Sequence, residues 1–387
     1  MDLVADSTIL GGWSLTLPYR IGEGYPLQVQ CGTIMSRPDA AHLWHETRPL
    51  RNPIARRCRR HGRGLPRPSF TASANGLLAY MGVTGEGFSE LLWTDRTGKP
   101  LGKVGEPALY FGPSLSPDGQ KVAVAIADLH NQANSEIWIY DLVRNLKARL
   151  TFSEPTTRNS LPVWSPDGRQ IAFSSDRSGQ AAQIYEKAVN GMDPERVVAP
   201  GESYRYPSSW SPDGRYVVGI QQSAQGGTEF LILPMDGTGH TMDRPLAVTA
   251  LSRFTFPQVS PNGKWLAYSS FETGSQEVYL LSFPGGSGKW QVSTTSGTEA
   301  HWRRDGRELF YSASDGTVMS AEISAQDGSP VVGKLRALFQ KHARPSPHWT
   351  FDVSPDGQRF LINTLIQPST SEPITLVTNW DAELKKK

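Results

Sequence analysis

One tetrapeptide, Ser-Pro-Asp-Gly, constrains this chain more than any other feature. It occupies residues 116–119, 165–168, 211–214 and 354–357. Ser-Pro-Asn-Gly stands at 260–263, with looser copies at 303–306 (Arg-Arg-Asp-Gly) and 73–76 (Ser-Ala-Asn-Gly). The turn glycines Gly76, Gly119, Gly168, Gly214, Gly263, Gly306 and Gly357 lie on average about 47 residues apart, within the period of propeller blades. Each position in the motif has a turn role. Ser can cap its own backbone, Pro presets φ, Asp or Asn suits the third position, and Gly takes a left-handed fourth position that opens a hairpin. Asp118, Asp167, Asp213, Asn262, Asp305 and Asp356 fill the third position. An Asn serves a turn as well as an Asp but would be a poor acid or base, so the motif reads as architecture.

After each turn comes an apolar run, such as "KVAVAIA", "QIAFSSD", "YVVGIQQ" and "WLAYSSF". A second run follows ("EIWIYDL", "EVYLLSF"), then in most units a short third one ("ARLTF", "WQVST"). With the strand leading into the turn, this makes four strands per unit, and no long helical period interrupts them. A four-stranded unit has apolar faces that only its neighbours can cover, and closing a ring hides the edges. The expected fold is therefore all-β: a single β-propeller of four-stranded antiparallel blades over residues 69–387. Seven glycines predict seven blades, although six or eight fit the spacing. The last unit needs an extra strand, and 13–18 ("WSLTLP") or 27–35 ("LQVQCGTIM") could supply it from the N-terminus.

Residues 1–68 read differently. The first lysine is Lys99, yet 51–67 hold seven arginines. This segment is expected to be poorly ordered, a closing strand, or frameshifted text. A basic arm for nucleic acid is the minor reading, because the formal net charge is only +2 and there is no global attraction to polyanions. No nucleic-acid partner and no membrane span are expected. Cys31 and Cys58 are the only cysteines among the 387 residues, too few for a disulfide framework or a zinc site.

The units, above all 163–191 and 115–152, resemble the WD40-like repeats of TolB-type propellers. More narrowly, residues 70–387 resemble the C-terminal propeller of acidobacterial receptor-like serine/threonine kinases, on "GLLAY", "LLWTDRTGKPLGKVGEP", "HWRRDGRELFY", "VSPDGQRFLIN" and "NWDAELKKK". The resemblance implies a sensing or interaction module outside the cytoplasm, without the upstream kinase domain. The N-terminus carries no export signal, which points to the cytoplasm for the chain as written.

Catalytic motifs fail on inspection. "YRIGEGYPLQV" (19–29) resembles a kinase glycine-rich loop but lacks its third glycine, and no lysine, catalytic-loop or Asp-Phe-Gly motif follows. "GSPVVGKL" (328–335) nearly spells a phosphate-binding loop, yet Leu335 stands where Mg²⁺ needs a hydroxyl. There is no Gly-x-Ser-x-Gly elbow. The eight histidines form no metal-binding pair. No catalytic residue, cofactor or metal is expected.

The repeat does predict where function should lie. Residues about six positions before each turn enter the innermost strands and should rim one mouth of the channel. They vary, and they are rich in aromatics, Arg and His: Tyr110, Arg158, Asn159, Tyr204, Arg205, Tyr206, Arg253, Phe254, His301, His348 and Trp349. Such residues anchor interfaces. The expected function is non-catalytic binding of a protein or peptide by a monomeric scaffold or sensor. The alternatives are a hydrolase or lyase using channel-lining residues, and the propeller fragment of a peptidase or kinase. Trp164, Trp210 and Trp302, just before the turns, are expected to pack between blades.

Overall fold

The structure is a computed structural model. It describes residues 88–366 apart from 129–130, 132–133, 180, 223–226, 238–254, 344–345 and 347, together with strands at 14–21, 25–30, 33–36, 70–72, 77–81 and 374–378. The arginine-rich stretch, both cysteines, the turn at 73–76, Arg253 and Phe254 lie outside the described residues. The chain divides into two compact units, Met1–Glu86 with Pro368–Lys387, and Gly87–Gln367. Every regular element described is a strand.

In the smaller unit, β1 (Ser14–Ile21), β2 (Tyr25–Gln30) and β3 (Thr33–Ser36) form one antiparallel sheet. A second sheet joins β4 (Phe70–Ala72) and β5 (Leu77–Met81) to the last strand of the chain, Ile374–Thr378.

The larger unit repeats one pattern. β6 (Ser89–Asp95) leads into the 16-residue β7 (Pro100–Leu115), followed by β8 (Lys121–Ala127), β9 (Ser135–Asp141) and β10 (Leu146–Arg149). The next sheet is β11 (Asn159–Trp164), β12 (Gln170–Ser175), β13 (Gln183–Ala188) and β14 (Arg196–Ala199). Then come β15 (Arg205–Trp210), β16 (Tyr216–Gln222) and β17 (Thr228–Pro234). These are followed by β18 (Gln258–Val259), β19 (Trp265–Ser270), β20 (Glu277–Ser282) and β21 (Lys289–Gln291). Next are β22 (Thr298–Trp302), β23 (Glu308–Ser312), β24 (Thr317–Gln326) and β25 (Ser329–Gln340). β26 (Phe351–Val353) and β27 (Arg359–Leu365) end the unit, and β28 is the Ile374–Thr378 strand of the smaller one.

β27 pairs along its length with β6, while β7 pairs first with β6 and then, from Leu109, with β8. The sequence predicts that "ITLVTNW" follows "RFLINTL" in one sheet. It does not: β28 pairs with β5. The strands at 13–18 and 27–35, offered as closing strands, belong to the β1–β3 sheet. Strand partners are chosen by what each face can bury, and "SELLWTD" buries Leu91 and Trp93 beside Leu361.

Period-2 alternation explains why the middle strands read as continuous apolar runs. In β8, Val122 and Val124 face one neighbouring sheet, among Leu91, Trp93 and Leu361. Ala123 and Ala125 face the other, among Ile171 and Phe173. Opposite faces of one strand thus feed two cores. Further cores join β12–β13 to β16–β17, β16–β17 to β19–β20, β19–β20 to β23–β24, and β23–β24 to β26–β27.

The turns share one hydrogen-bond geometry. Ser165 Oγ donates to Asp167 Oδ1 at 2.6 Å, Arg169 N donates to the same oxygen at 3.0 Å, and Gln170 N donates to Ser165 Oγ at 2.9 Å. The same set recurs at Asp118, Asp213 and Asp356, and at Asn262 with an amide oxygen. Gly168 has φ of 70°, which an L side chain rarely adopts. Neighbouring turns touch. A Cβ on Gly168 would meet Pro117 at 3.8 Å, and one on Gly119 would meet Pro355 of the last turn at 2.9 Å.

The serine hydroxyl beside each turn Asp holds its carboxyl below the ordinary value, for Asp213 to about 2 with help from Arg215. A depressed folded-state pKa contributes stability that is complete above the unfolded value near pH 4 and is lost as pH falls through the folded value. Changing Asp118, Asp167, Asp213 and Asp356 together to Asn keeps the acceptor, as Asn262 shows. Urea melts should therefore show near wild-type stability at neutral pH and a shallower fall between about pH 4 and 2. An unchanged acid limb would exclude these turns as its source.

Candidate functional site

The predicted rim lies where the connections enter the innermost strands. Four of these strands break register just before their prolines or turns: at Phe111/Ser114, Ser160/Val163, Pro207/Ser209 and Thr298/His301. At three of these bulges the residue four before the turn is left-handed: Gly112 (φ 57°), Leu161 (φ 54°) and Glu299 (φ 51°). Gly adopts this freely. Leu and Glu do so at a cost of about 1–3 kcal/mol, which surrounding contacts must offset.

Those contacts differ. Leu161 enters an apolar cluster with Val163, Phe256 and Trp349, against which Tyr206 and Trp210 pack. Phe256 and Trp349 meet edge-on at 5.3 Å. Trp349 Nε1 donates to the Pro113 carbonyl at 2.7 Å, and a Cβ on Gly112 would sit 3.4 Å from the indole. Side chains from β11 and β15 and from the residues just before β18 and β26 therefore meet in one plug, with the backbone of β7 against it.

Glu299 goes elsewhere. Its Oε2 accepts from Lys341 Nζ and Thr350 Oγ1, both at 2.8 Å, and from Thr350 N at 3.2 Å. Lys341 also lies 4.8 Å above the Phe351 ring. Burial pushes the Glu299 carboxyl up, but Lys341 and Thr350 outweigh it and hold it below its ordinary value.

The structure separates the predicted rim residues. Tyr110 is fully buried, with its hydroxyl 2.8 Å from that of Tyr140 and 2.5 Å from the Glu106 carbonyl. Asn159 is fully buried too, where it donates to Ser135 O, Glu136 Oε2 and Ser153 Oγ and accepts from Arg177. His301 is buried against Phe351 with Nδ1 3.3 Å from Asp352 Oδ1, and Asp352 Oδ2 accepts from Leu115 N. Trp349 is 3 % exposed, within the plug. These four are packing residues, and for Tyr110 and Asn159 a bulge lies between the chosen offset and the turn.

Arg205, Tyr206 and His348 are half-buried. Arg205 donates to the Pro200 carbonyl, and His348 sets its ring edge-on to Phe111 at 5.5 Å. Arg158 and Tyr204 are exposed. On connections at the same end of their strands stand Phe152 and Phe271, 67 % and 46 % exposed. Sequence reasoning missed Leu161, Phe256, Glu299 and Lys341. For Leu161 and Phe256 the signal was present, since each immediately precedes a repeated proline.

At the opposite end Arg304 donates to the Pro117 carbonyl, and its backbone N donates to the Pro355 carbonyl at 3.3 Å. Trp164 Nε1 donates to Ser114 O and Trp302 Nε1 to Gln258 O, each on the preceding sheet, whereas Trp210 bonds within its own turn. The "GSPVVGKL" stretch runs into β25 as extended strand paired with β24, so no helix follows to cradle phosphate.

Residues 68–253 match the family model described as the TolB β propeller domain. These repeats are TolB-like β-propeller repeats. Curated relatives agree: the Tol-Pal system protein TolB of Francisella tularensis is 28 % identical over 192 residues, 49 % of this chain and 42 % of that protein. The "Uncharacterized peptidase YuxL" of Bacillus subtilis is 27 % identical over 200 residues, 43 % of this chain and 30 % of that protein. The chain thus spans less than half the length of either relative. Among solved structures, the putative TolB from Agrobacterium tumefaciens superposes with a TM-score of 0.56 at 19 % identity, covering 73 % of this chain and all of that one. TolB from Acinetobacter baumannii gives 0.53 at 16 %, covering 68 % and 62 %. At these identities the likeness of the TolB-like propeller to solved structures is one of fold.

Proposed function

We propose that this TolB-like propeller is a non-catalytic binding module that holds a protein or peptide at the mouth opposite its turns. The observation that carries the reading is the apolar plug of Leu161, Val163, Phe256 and Trp349. It packs apolar side chains from several neighbouring strand ends together, where a channel-based enzyme would need reacting groups. On connections opposite the turns, Arg158, Tyr204, Phe152 and Phe271 remain exposed, and aromatics and Arg are side-chain types that anchor interfaces. His301, Asp352 and Glu299 are each engaged in holding strands together, which disfavours the hydrolase or lyase alternative.

The scaffold we propose is a ring of six blades within Gly87–Gln367. Six apolar cores join its sheets in order, and the last joins β27 and β6 to β8 and β9. β6 and the first half of β7 complete the sixth blade, so strands from both ends of the unit share one sheet. The strands flanking "SANG" belong to the smaller unit, and the count for the larger one is six where seven turn glycines predict seven.

The test is capture of a partner by the immobilised full chain and by its Arg158→Ser/Tyr204→Ser variant. Both positions are exposed, so the melting temperature should hold while capture falls about tenfold or more. Equal capture by both chains would remove the mouth as the binding face.

A further inference from the structure

A second recess lies away from the mouth, beside the turn of residues 116–119. Its volume is about 480 Å³, and Trp93, Val104 and Tyr140 form its apolar floor. All three are nearly fully buried. Cavities of this size hold small molecules. The recess straddles the join of the larger unit: Trp93 and Arg359 come from β6 and β27, while Tyr140, Asp118 and Asp141 come from the β8–β9 side.

Its charges are sorted by wall. On one side Arg359 lies with its guanidinium 4.8 Å from the Trp93 ring centroid. Its charge helps hold the Asp356 carboxyl below the ordinary value, but among the described residues it makes no close ion pair. Lys103, on the same side, is already paired with Glu90 at 2.6 Å. On the other side are two carboxylates. Asp118 Oδ1 accepts from Ser116 Oγ and Gln120 N, and Asp141 Oδ1 accepts from Val143 N and Arg144 N. Each thus turns one oxygen to its own backbone and has a second for a ligand. Val143, at the lip, is 72 % exposed.

An apolar lining, a guanidinium outside any close ion pair and two half-used carboxylates match a ligand with a free carboxylate, a free ammonium and a side chain between them. We propose that this recess binds a short, unblocked, apolar peptide. Its carboxylate sits on Arg359, its ammonium faces Asp118 and Asp141, and its side chain lies over Trp93 and Tyr140. Charge-assisted bonds to both termini give selectivity for the zwitterion, and the stacked Arg359 is held in place for it by the indole. Because the recess joins first and last strands, an occupant also links them, and mass action raises the stability of the closed arrangement.

The probe is the dipeptide Leu-Phe, titrated calorimetrically into the full chain beside its N-acetylated and C-amidated forms. Saturable binding of Leu-Phe is expected, with each block weakening it about fivefold or more. Arg359→Gln should lower the affinity for Leu-Phe to that of the amide, and Asp141→Asn, which keeps the turn acceptor, to that of the acetylated form. Saturating Leu-Phe should also raise the melting temperature of the wild-type chain. No saturable heat up to about 10 mM, or equal affinity for the free and both blocked peptides, overturns the proposal. The blocked peptides decide this even if a substitution disturbs folding.

Discussion

Trp349→Ala is expected to lower unfolding stability by about 3–5 kcal/mol, the range for removing a large buried aromatic. The indole is 3 % exposed, packs edge-on to Phe256, and is the one plug residue that hydrogen-bonds the first innermost strand, through Pro113 O. Removing it leaves a cavity shared by several sheets, which no single sheet can collapse to fill, and orphans a buried carbonyl. Trp349→Phe separates the two effects. It keeps most of the apolar volume and loses only the donor, so the cost should be about 1–3 kcal/mol. Urea unfolding of both variants measures this. If Trp349→Ala costs under about 1 kcal/mol, the plug is not a packed core and the channel is open.

Lys341→Met should cost a similar amount, about 3–5 kcal/mol, because it leaves the Glu299 carboxylate enclosed without its cation. The sign with pH is specific. In the wild-type chain Glu299 is held below its ordinary pKa, so its contribution is present above the unfolded value and lost on acidification. Without Lys341, burial dominates and the folded-state pKa rises above the unfolded one. The penalty then grows as pH climbs through that raised value and shrinks on acidification. The variant should therefore lose least, relative to wild type, near pH 4–5 and most near pH 8. Lys341→Met/Glu299→Gln should recover part of the loss, since a neutral amide can still accept from Thr350. A pH-independent loss would show that Lys341 acts by packing on Phe351 and not by charge.

Much of the architecture can be read in the sequence because the repeat encodes it locally. Ser-Pro-Asp-Gly makes its turn from its own atoms, Ser165 Oγ to Asp167 Oδ1 and Gly168 at positive φ. "KVAVAIA" shows two buried faces because both of its alternating sets are apolar. Blade-to-blade partners are less readable. "RFLINTL" carries nothing that distinguishes "ITLVTNW", nine residues on, from "SELLWTD", more than 260 residues back, since both are apolar runs of strand length. Which rim positions are buried is hidden for a related reason. An offset counted back from the turn assumes an unbroken strand, and bulges at Leu161 and Glu299 shift the register before the rim is reached.

The sequence alone therefore determined the unit: its turns, its four-strand order, and the roles of Asp118, Asp167, Asp213, Asn262, Asp305 and Asp356. Those depend on contacts within a few residues, which local chemistry specifies. Only the tertiary structure decided which strands meet at the join, that Trp349 and Asn159 are buried while Tyr204 stays in solvent, and that Arg359, Asp118 and Asp141 line one recess. Those contacts link residues up to 276 apart, Ser89 to Leu365, and such pairings are selected by burial and shape across the whole unit, which no short stretch of sequence contains.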